Sequence, residues 1–258
     1  MVQSVQRAIR ILRELATDGP RLGVTELADR LGVAKPTVHA LLRTLESEGL
    51  VSRDSEGSKY RLGPDLVAFG NAYLDTHELR SRSLTWAELL AARTKEAVWV
   101  SVLTGGRILV VHHAFRPEGA VQMLEVGAAI PWNASGFGKA IVAFSPPALR
   151  KELLLGELTA LTGATATDPA VLTRQLDQAA AAGYAVEDQE STIGDGTIAA
   201  PVFDRSGEVA GAIGVVGPVE RLLADPARQE LAVAVRETAR NLSRELGARR
   251  GGSVHLHS

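Results

Sequence analysis

The stretch VTELADRLGVAKPTVHALLRTLESEGL, Val24 to Leu50, reads as two short helices joined by a tight turn. Thr25 can cap the first helix, whose apolar members are Leu27, Ala28 and Leu31. Gly32 supplies the left-handed residue that ends it. Pro36 suits the first turn of the second helix, where its missing N–H costs nothing. Val38, Leu41, Leu42 and Leu45 recur at i, i+3, i+4 and i+7, a stripe for burial. Lys35, Thr37, His39 and Arg43 fall off that stripe and leave a polar, basic face free. In helix-turn-helix docking the first turns of the second helix approach base edges. Thr37 and His39 are therefore candidates for base contact, and Lys35 and Arg43 for phosphate. Thr25 and Pro36, at the two helix starts, are counted with the same DNA-facing set.

The flanks support a DNA-reading head over residues 1–63. Upstream, Val5, Ala8, Ile9, Leu12 and Ala16 keep helical spacing, with Ile11 and Leu15 widening the stripe, until Asp18-Gly19-Pro20 ends it. Downstream, Val51-Ser52-Arg53 and Lys59-Tyr60-Arg61-Leu62 alternate like a hairpin across a polar turn. A basic hairpin in that place is a wing, and Arg53, Lys59 and Arg61 are its phosphate candidates. Any small three-helix domain shows apolar stripes, so the order of the parts carries the reading. Residues 1–63 hold ten Lys/Arg against eight Asp/Glu, a net of +2, while the whole chain carries −2. A mildly basic head on an acidic body suits DNA binding through a small module.

The chain has 258 residues and no cysteine, which excludes disulfides, thiolate metal sites and cysteine nucleophiles. The charged N-terminus MVQSVQRAIR is unlike a signal peptide. No apolar run reaches the about 18 residues needed to span a bilayer. The expected place is the cytoplasm, with no membrane partner.

Gly63-Pro64 breaks the chain before a connector, residues 64–79, whose stripe holds Leu66, Phe69, Gly70, Tyr73 and His77. Symmetric DNA sites need two-fold protein dimers, so a partner chain is one place to bury that stripe, and the chain's own body is another. A further helix runs from near Leu79 to Lys95. In the body, residues 80–248, Ala97–Leu103 and Arg107–His113 read as a hairpin and Ala120–Val126 as a third strand, followed by a loop from Gly127 to Asn133. Ser135 precedes a helix that ends before Pro146-Pro147. Asp168-Pro169 starts another helix, which Gly183 ends. Tyr184–Glu187 is a strand and Asp188–Gly196 a polar loop. Thr197–Phe203 and Val209–Val216 pair across the turn Asp204-Arg205-Ser206-Gly207, and Asp225-Pro226 opens a last helix to about Leu246. The expected class is α+β with a largely antiparallel sheet. Residues 249–258 have the composition of a disordered tail.

Neither a complete phosphate loop nor a nucleophile–base set is present. In NASGFGKA the first required Gly is Asn133, and Ala140 follows Lys139 where Ser or Thr is needed. His112 and His113 are adjacent on a strand and face opposite sides, so one metal cannot take both from one face. No cofactor or metal is expected. What remains is a binding site. Ser135, Gly136, Phe137 and Gly138 would place free N–H groups at a helix start, which attracts small anions. Close helix–sheet packing is the other use of that Gly pair. The loop Glu187 to Thr197 offers hydroxyl and carboxylate partners, and is equally readable as a solvated turn.

SVQRAIRIL, LGVTELADRLGVAKPTVHALLRTLESEGLV, KYRLGPDLVAFGNAYL, EVGAAIPWNASGFGKAIVAF and GYAVEDQESTIGDGTIAAPVFDRSGEVAGAIGVVGPVERL together resemble the IclR family of bacterial transcriptional regulators. HELRSRSL and VHHAFRPEG resemble its actinobacterial glycerol-operon branch. The resemblance covers residues 4 to 246. It implies an N-terminal winged helix-turn-helix, a linker helix and a C-terminal GAF-like α/β effector domain. It also implies dimers or tetramers on palindromic double-stranded operators, and a small-molecule effector: a small acid, a polyol or a sugar phosphate. The effector contacts it carries over are Leu124, Trp132, Asn133, Ser135, Gly136, Phe137, Gly138, Glu187, Asp188, Thr197, Gly214 and Val216. Three departures stand out. Ala40 replaces a basic residue common in the family, Thr197 a common Cys, and Gly214 and Val216 the serines of carboxylate-binding members. The last two departures make the pocket less polar there, and Trp132 suggests a larger or flatter ligand. The expected function is a ligand-responsive regulator, a repressor of a carbon-catabolism operon. The alternatives are a metabolite-processing enzyme with a regulatory head, and a body that only oligomerises.

Overall fold

The computed structural model describes residues 2–17, 21–54, 57–118 and 123–248, in two compact units that divide between Thr76 and His77. The first unit holds α1 (Gln3–Thr17), β1 (Leu22–Gly23), α2 (Val24–Leu31), α3 (Lys35–Ser47), β2 (Val51–Arg53), β3 (Lys59–Leu62) and α4 (Asp65–Asp75). Its core packs Ile11, Leu15, Leu27, Leu31, Val38, Leu42, Leu45 and Tyr60 together. The stripe of α3 is therefore buried as its spacing requires. Gly32 ends α2 in the left-handed conformation at φ +63°.

Three details differ from expectation. Thr25 does not cap α2. Gly23 holds that position, and the Glu26 carboxylate reaches back to accept from its N–H at 2.6 Å, so Thr25 is left exposed inside the first turn. The inner face of α1 is Ile11 and Leu15, while Val5 and Ile9 are 55% and 45% exposed. Apolar residues lie on two sides of that helix, and α2 and α3 can cover only one. The wing is also three-stranded, because β1 pairs with β3. Two residues are too few to show a period in sequence. The predicted helix stop at Asp18–Pro20 lies outside the described residues.

The second unit runs α5 (Glu78–Thr94), β4 (Ala97–Thr104), β5 (Arg107–Ala114), β6 (Ala129–Pro131), a 3-10 turn (Trp132–Ala134), α6 (Gly136–Ala143), α7 (Pro147–Leu155), α8 (Pro169–Ala182), β7 (Ala185–Asp188), β8 (Asp195–Phe203), β9 (Val209–Pro218), α9 (Val219–Leu222) and α10 (Ala227–Glu245). Its strands form one antiparallel sheet in the order β6-β5-β4-β9-β8-β7. Alternation assigns the two faces. Val98, Val100, Ile198, Ala200, Ile213 and Val215, all buried, fall on one side of the pleat, where α5 and α10 pack. Trp99, Ala199, Ala212 and Val216 fall on the other, under α6 with Phe137, Ala140 and Ile141. Asp168 caps α8 by accepting from the Ala170 N–H, and Gly183 ends it, as expected.

The predicted third strand is a correction. Met123–Val126 is not a strand, and residues 120–122 lie outside the described set. The strand is Ala129–Pro131, inside what reads as a loop, paired with Arg107–Leu109. Gly127 turns the chain at φ +93° and donates its N–H to the Val110 carbonyl, and the ladder with β5 runs on from Ala129. The predicted tail, residues 249–258, lies outside the described residues.

Candidate functional site

On the head, Lys35, Pro36, His39 and Arg43 are exposed and Thr37 is half-buried, all on the outer side of α3. Among the described residues, Lys35, Arg43 and Arg53 have no ion pair, so their charge is not neutralised within the fold. The other two wing cations are engaged: Lys59 lies 3.7 Å from the Glu26 carboxylate, and Arg61 Nε donates to Ser52 Oγ at 3.1 Å. α3 has no side-chain cap at Ala34; Pro36 carries no N–H, and the Thr37 and Val38 N–H groups donate to the Ala34 carbonyl at 2.9 and 3.1 Å, so the DNA-facing donors of this turn are its side chains.

In the body, the segments nominated from sequence do meet. The start of α6 rests on β7 and β8: a Cβ on Gly136 would lie 3.0 Å from Thr197 and 3.4 Å from Glu187. Gly138 is dictated by packing, since a Cβ there would stand 2.2 Å from the Trp132 carbonyl oxygen. Gly214 is likewise held by Ile198, whose carbonyl would be 2.4 Å from a Cβ. Trp132 and Phe137 are core side chains. Ser135, the N-cap of α6, is buried. Asn133 spends its amide on the chain, donating to the Thr159 and Ala166 carbonyls at 3.0 Å each. Leu124 is 65% exposed and Asp188 is exposed.

The acidic loop is a solvated turn only in part: Asp188 is exposed, while Glu187 and Glu190 are buried. Lys139 and Glu190, both buried, form an ion pair, and Glu190 also accepts from the Ala166 N–H. The Glu187 carboxylate accepts from the N–H groups of Glu190 and Ser191. Burial lowers the Lys139 pKa against the pull of Glu190, and burial raises that of Glu187 against those N–H groups. These charges hold the loop onto α6. The tight contacts at Gly136, Thr197 and Glu187 leave the pocket to open elsewhere along the same sheet face.

It opens over β4, β5 and β9 as a cleft of about 180 Å3. Trp99, His113, Val216, Ala97, Gly217, Met123, Glu125, Glu96, Arg116 and Arg221 line it. An aromatic ladder crosses its floor. Phe137 stacks on Trp99 at 6.0 Å, Trp99 meets His113 edge-on at 6.0 Å, and His113 lies 4.5 Å from Phe115. The β4–β9 register sets Trp99 opposite Gly214, which leaves the indole its room. Glu96 and Arg221 pair bidentately, at 2.7 Å for both bonds, and that bonding raises the Arg221 pKa. Of the effector contacts carried over by resemblance, Val216 lines this cleft. Trp99, His113 and Arg221 are not legible as site residues in the sequence, because only the fold brings them together. Among the described residues no group of three or more His, Asp or Glu could hold a metal, and no helix is long and apolar enough to cross a membrane.

Comparison with known proteins agrees with this architecture. The IclR helix-turn-helix domain model matches residues 4–55, and the model of the bacterial transcriptional regulator IclR C-terminal domain matches residues 71–244. The chain is 46% identical over 250 residues to the glycerol operon regulatory protein of Streptomyces griseus, covering 96% of this chain and 98% of that one. It is 43% identical to its counterpart in Streptomyces coelicolor, with the same coverage. Among solved structures, an IclR transcriptional regulator from Alicyclobacillus acidocaldarius superposes with a TM-score of 0.80 at 30% identity, over 96% of this chain and 100% of that one. An IclR homologue from Microbacterium hydrocarbonoxydans, complexed with 4-hydroxybenzoate, does so at 0.78 and 25%, over 95% and 99%. With a winged head, an α+β body and a match of both family models, the chain belongs to the IclR family of bacterial transcriptional regulators.

Proposed function

We propose that this regulator is a repressor of a carbon-catabolism operon, that it works in the cytoplasm, and that a small metabolite bound in the body's cleft releases it from DNA. The observation that carries the reading is the outer face of α3, where Lys35 and Arg43 stay un-neutralised beside Thr37 and His39. The similarity to two Streptomyces glycerol operon regulatory proteins points to glycerol utilisation as the target. Self-association supports a palindromic operator: α4 buries none of its residues, and Val67, Phe69 and Tyr73 are 64%, 64% and 47% exposed. A second copy of the chain is the cover we assign to that face. The ligand acts by population shift, binding one arrangement of the oligomer better than the other. The cleft is the observation that favours an effector-binding body over a mere dimerisation platform.

Footprinting tests this. The purified chain should protect an inverted repeat upstream of glycerol uptake or glycerol kinase genes in its own genome, and glycerol or its phosphate should weaken that protection. Protection of no discrete site would contradict the reading. Protection that neither compound alters would leave a DNA-binding protein with a different signal.

A further inference from the structure

We propose that the effector is an uncharged polyol, read by the indole N–H of Trp99 and the imidazole Nε2–H of His113; this rests on the effector-cleft reading above. The argument starts from hydrogen bonds. His113 Nδ1 accepts from the Glu125 N–H at 3.2 Å, so that nitrogen carries a lone pair and the ring proton sits on Nε2. Burial lowers the His113 pKa, in keeping with a neutral ring. Its Nε2–H is buried and has no partner, and His113 is 7% exposed. The indole Nε1–H of Trp99 is buried and unpartnered as well. Buried N–H groups are normally satisfied; these two belong to adjoining rings of residues that line one cleft, and because neither nitrogen is exposed to it, the rings must turn for a ligand to reach them. They call for oxygen acceptors.

Charge decides between the kinds of oxygen. The lining carries two carboxylates, Glu96 and Glu125, and two guanidiniums, Arg116 and Arg221. Arg221 is already held bidentately by Glu96, and Arg116 Nε donates to the Glu118 carbonyl. The four charges sum to zero, so the lining offers no excess positive charge to an anion. A hydroxyl both accepts and donates, so it suits N–H donors beside carboxylates. The carbon skeleton of a polyol then packs on the indole and on Val216 and Met123. Gly217 completes the arrangement, since a Cβ there would stand 2.8 Å from the Glu96 carboxylate.

Titration calorimetry of the full chain with glycerol, glycerol 3-phosphate and glycerate separates the possibilities. Glycerol should bind at least about tenfold more tightly than either anion. Trp99→Phe keeps an aromatic ring and removes only the donor, so it should weaken glycerol about tenfold; His113→Phe also takes the acceptor from the Glu125 N–H and should weaken it at least as much. Circular dichroism confirms folding, and if one variant fails to fold the other carries the test. Tighter binding of either anion overturns the proposal, as does glycerol affinity unchanged in the folded variants. Binding of none of the three also overturns it, while protection of an operator would still stand. Loss of protection with glycerol binding intact would sink the regulator reading alone.

Discussion

Glu190→Ala should destabilise the second unit by about 3–5 kcal/mol, the usual cost of stripping one partner from a buried ion pair. Lys139 and Glu190 are 1% and 6% exposed, so the ammonium left behind would be neither solvated nor paired. The pH dependence carries a definite sign. Burial depresses the Lys139 pKa, and removing Glu190 removes the attraction that opposes this. Between the depressed folded pKa and the unfolded value, the unfolded chain binds more protons, so stability rises with pH there. The deficit of the variant should therefore shrink from pH 7 toward pH 10. Urea unfolding followed by tryptophan fluorescence measures both, and a cost under about 1 kcal/mol at pH 7 would mean the pair is not what pins the acidic loop.

The second large effect is expected from a single methyl group. Gly138→Ala would place a Cβ 2.2 Å from the Trp132 carbonyl oxygen and 2.6 Å from its Cα. Both are backbone atoms, so the 3-10 turn or α6 must move as a body. A loss of about 3 kcal/mol follows, at the upper end of overpacking costs. Gly70→Ala is the natural contrast. Gly70 is an exposed position of α4, and a Cβ there has no neighbour within 4 Å. In the dissociated chain, without the second copy assigned to that face, its helix propensity should stabilise the head by up to about 1 kcal/mol. Equal melting behaviour of the two variants would mean that helix propensity outweighs the Trp132 contact.

These two residues mark where sequence stops being legible. α2, α3 and α8 could be read because caps, prolines and apolar periods all lie within a few positions of each other. The β8–β9 hairpin could be read because its turn joins neighbouring strands. A glycine, however, looks the same whether it meets a ligand or a carbonyl, so Gly138 reads as a site and is a packing position. Glu190 in a polar loop looks solvated, and its partner is 51 residues away. The cleft was hidden for the same reason. Trp99, His113, Val216 and Arg221 come from separate elements, and only the register of β4 with β5 and β9 assembles them. β6 is illegible in the sequence because the apolar run before Gly127 looks more like a strand than the three residues that pair.

The central claim is that the outer face of α3 binds DNA, and the salt dependence of operator affinity for Arg43→Ala tests it most directly. Arg43 is exposed and has no ion pair among the described residues, so its loss should leave the fold intact. If Arg43 neutralises a phosphate, the variant should bind more weakly, and the slope of log affinity against log salt should flatten by about 0.9 per subunit. An affinity and a slope equal to those of the unaltered chain would take Arg43 off the interface and contradict the assignment of α3 as the reading helix.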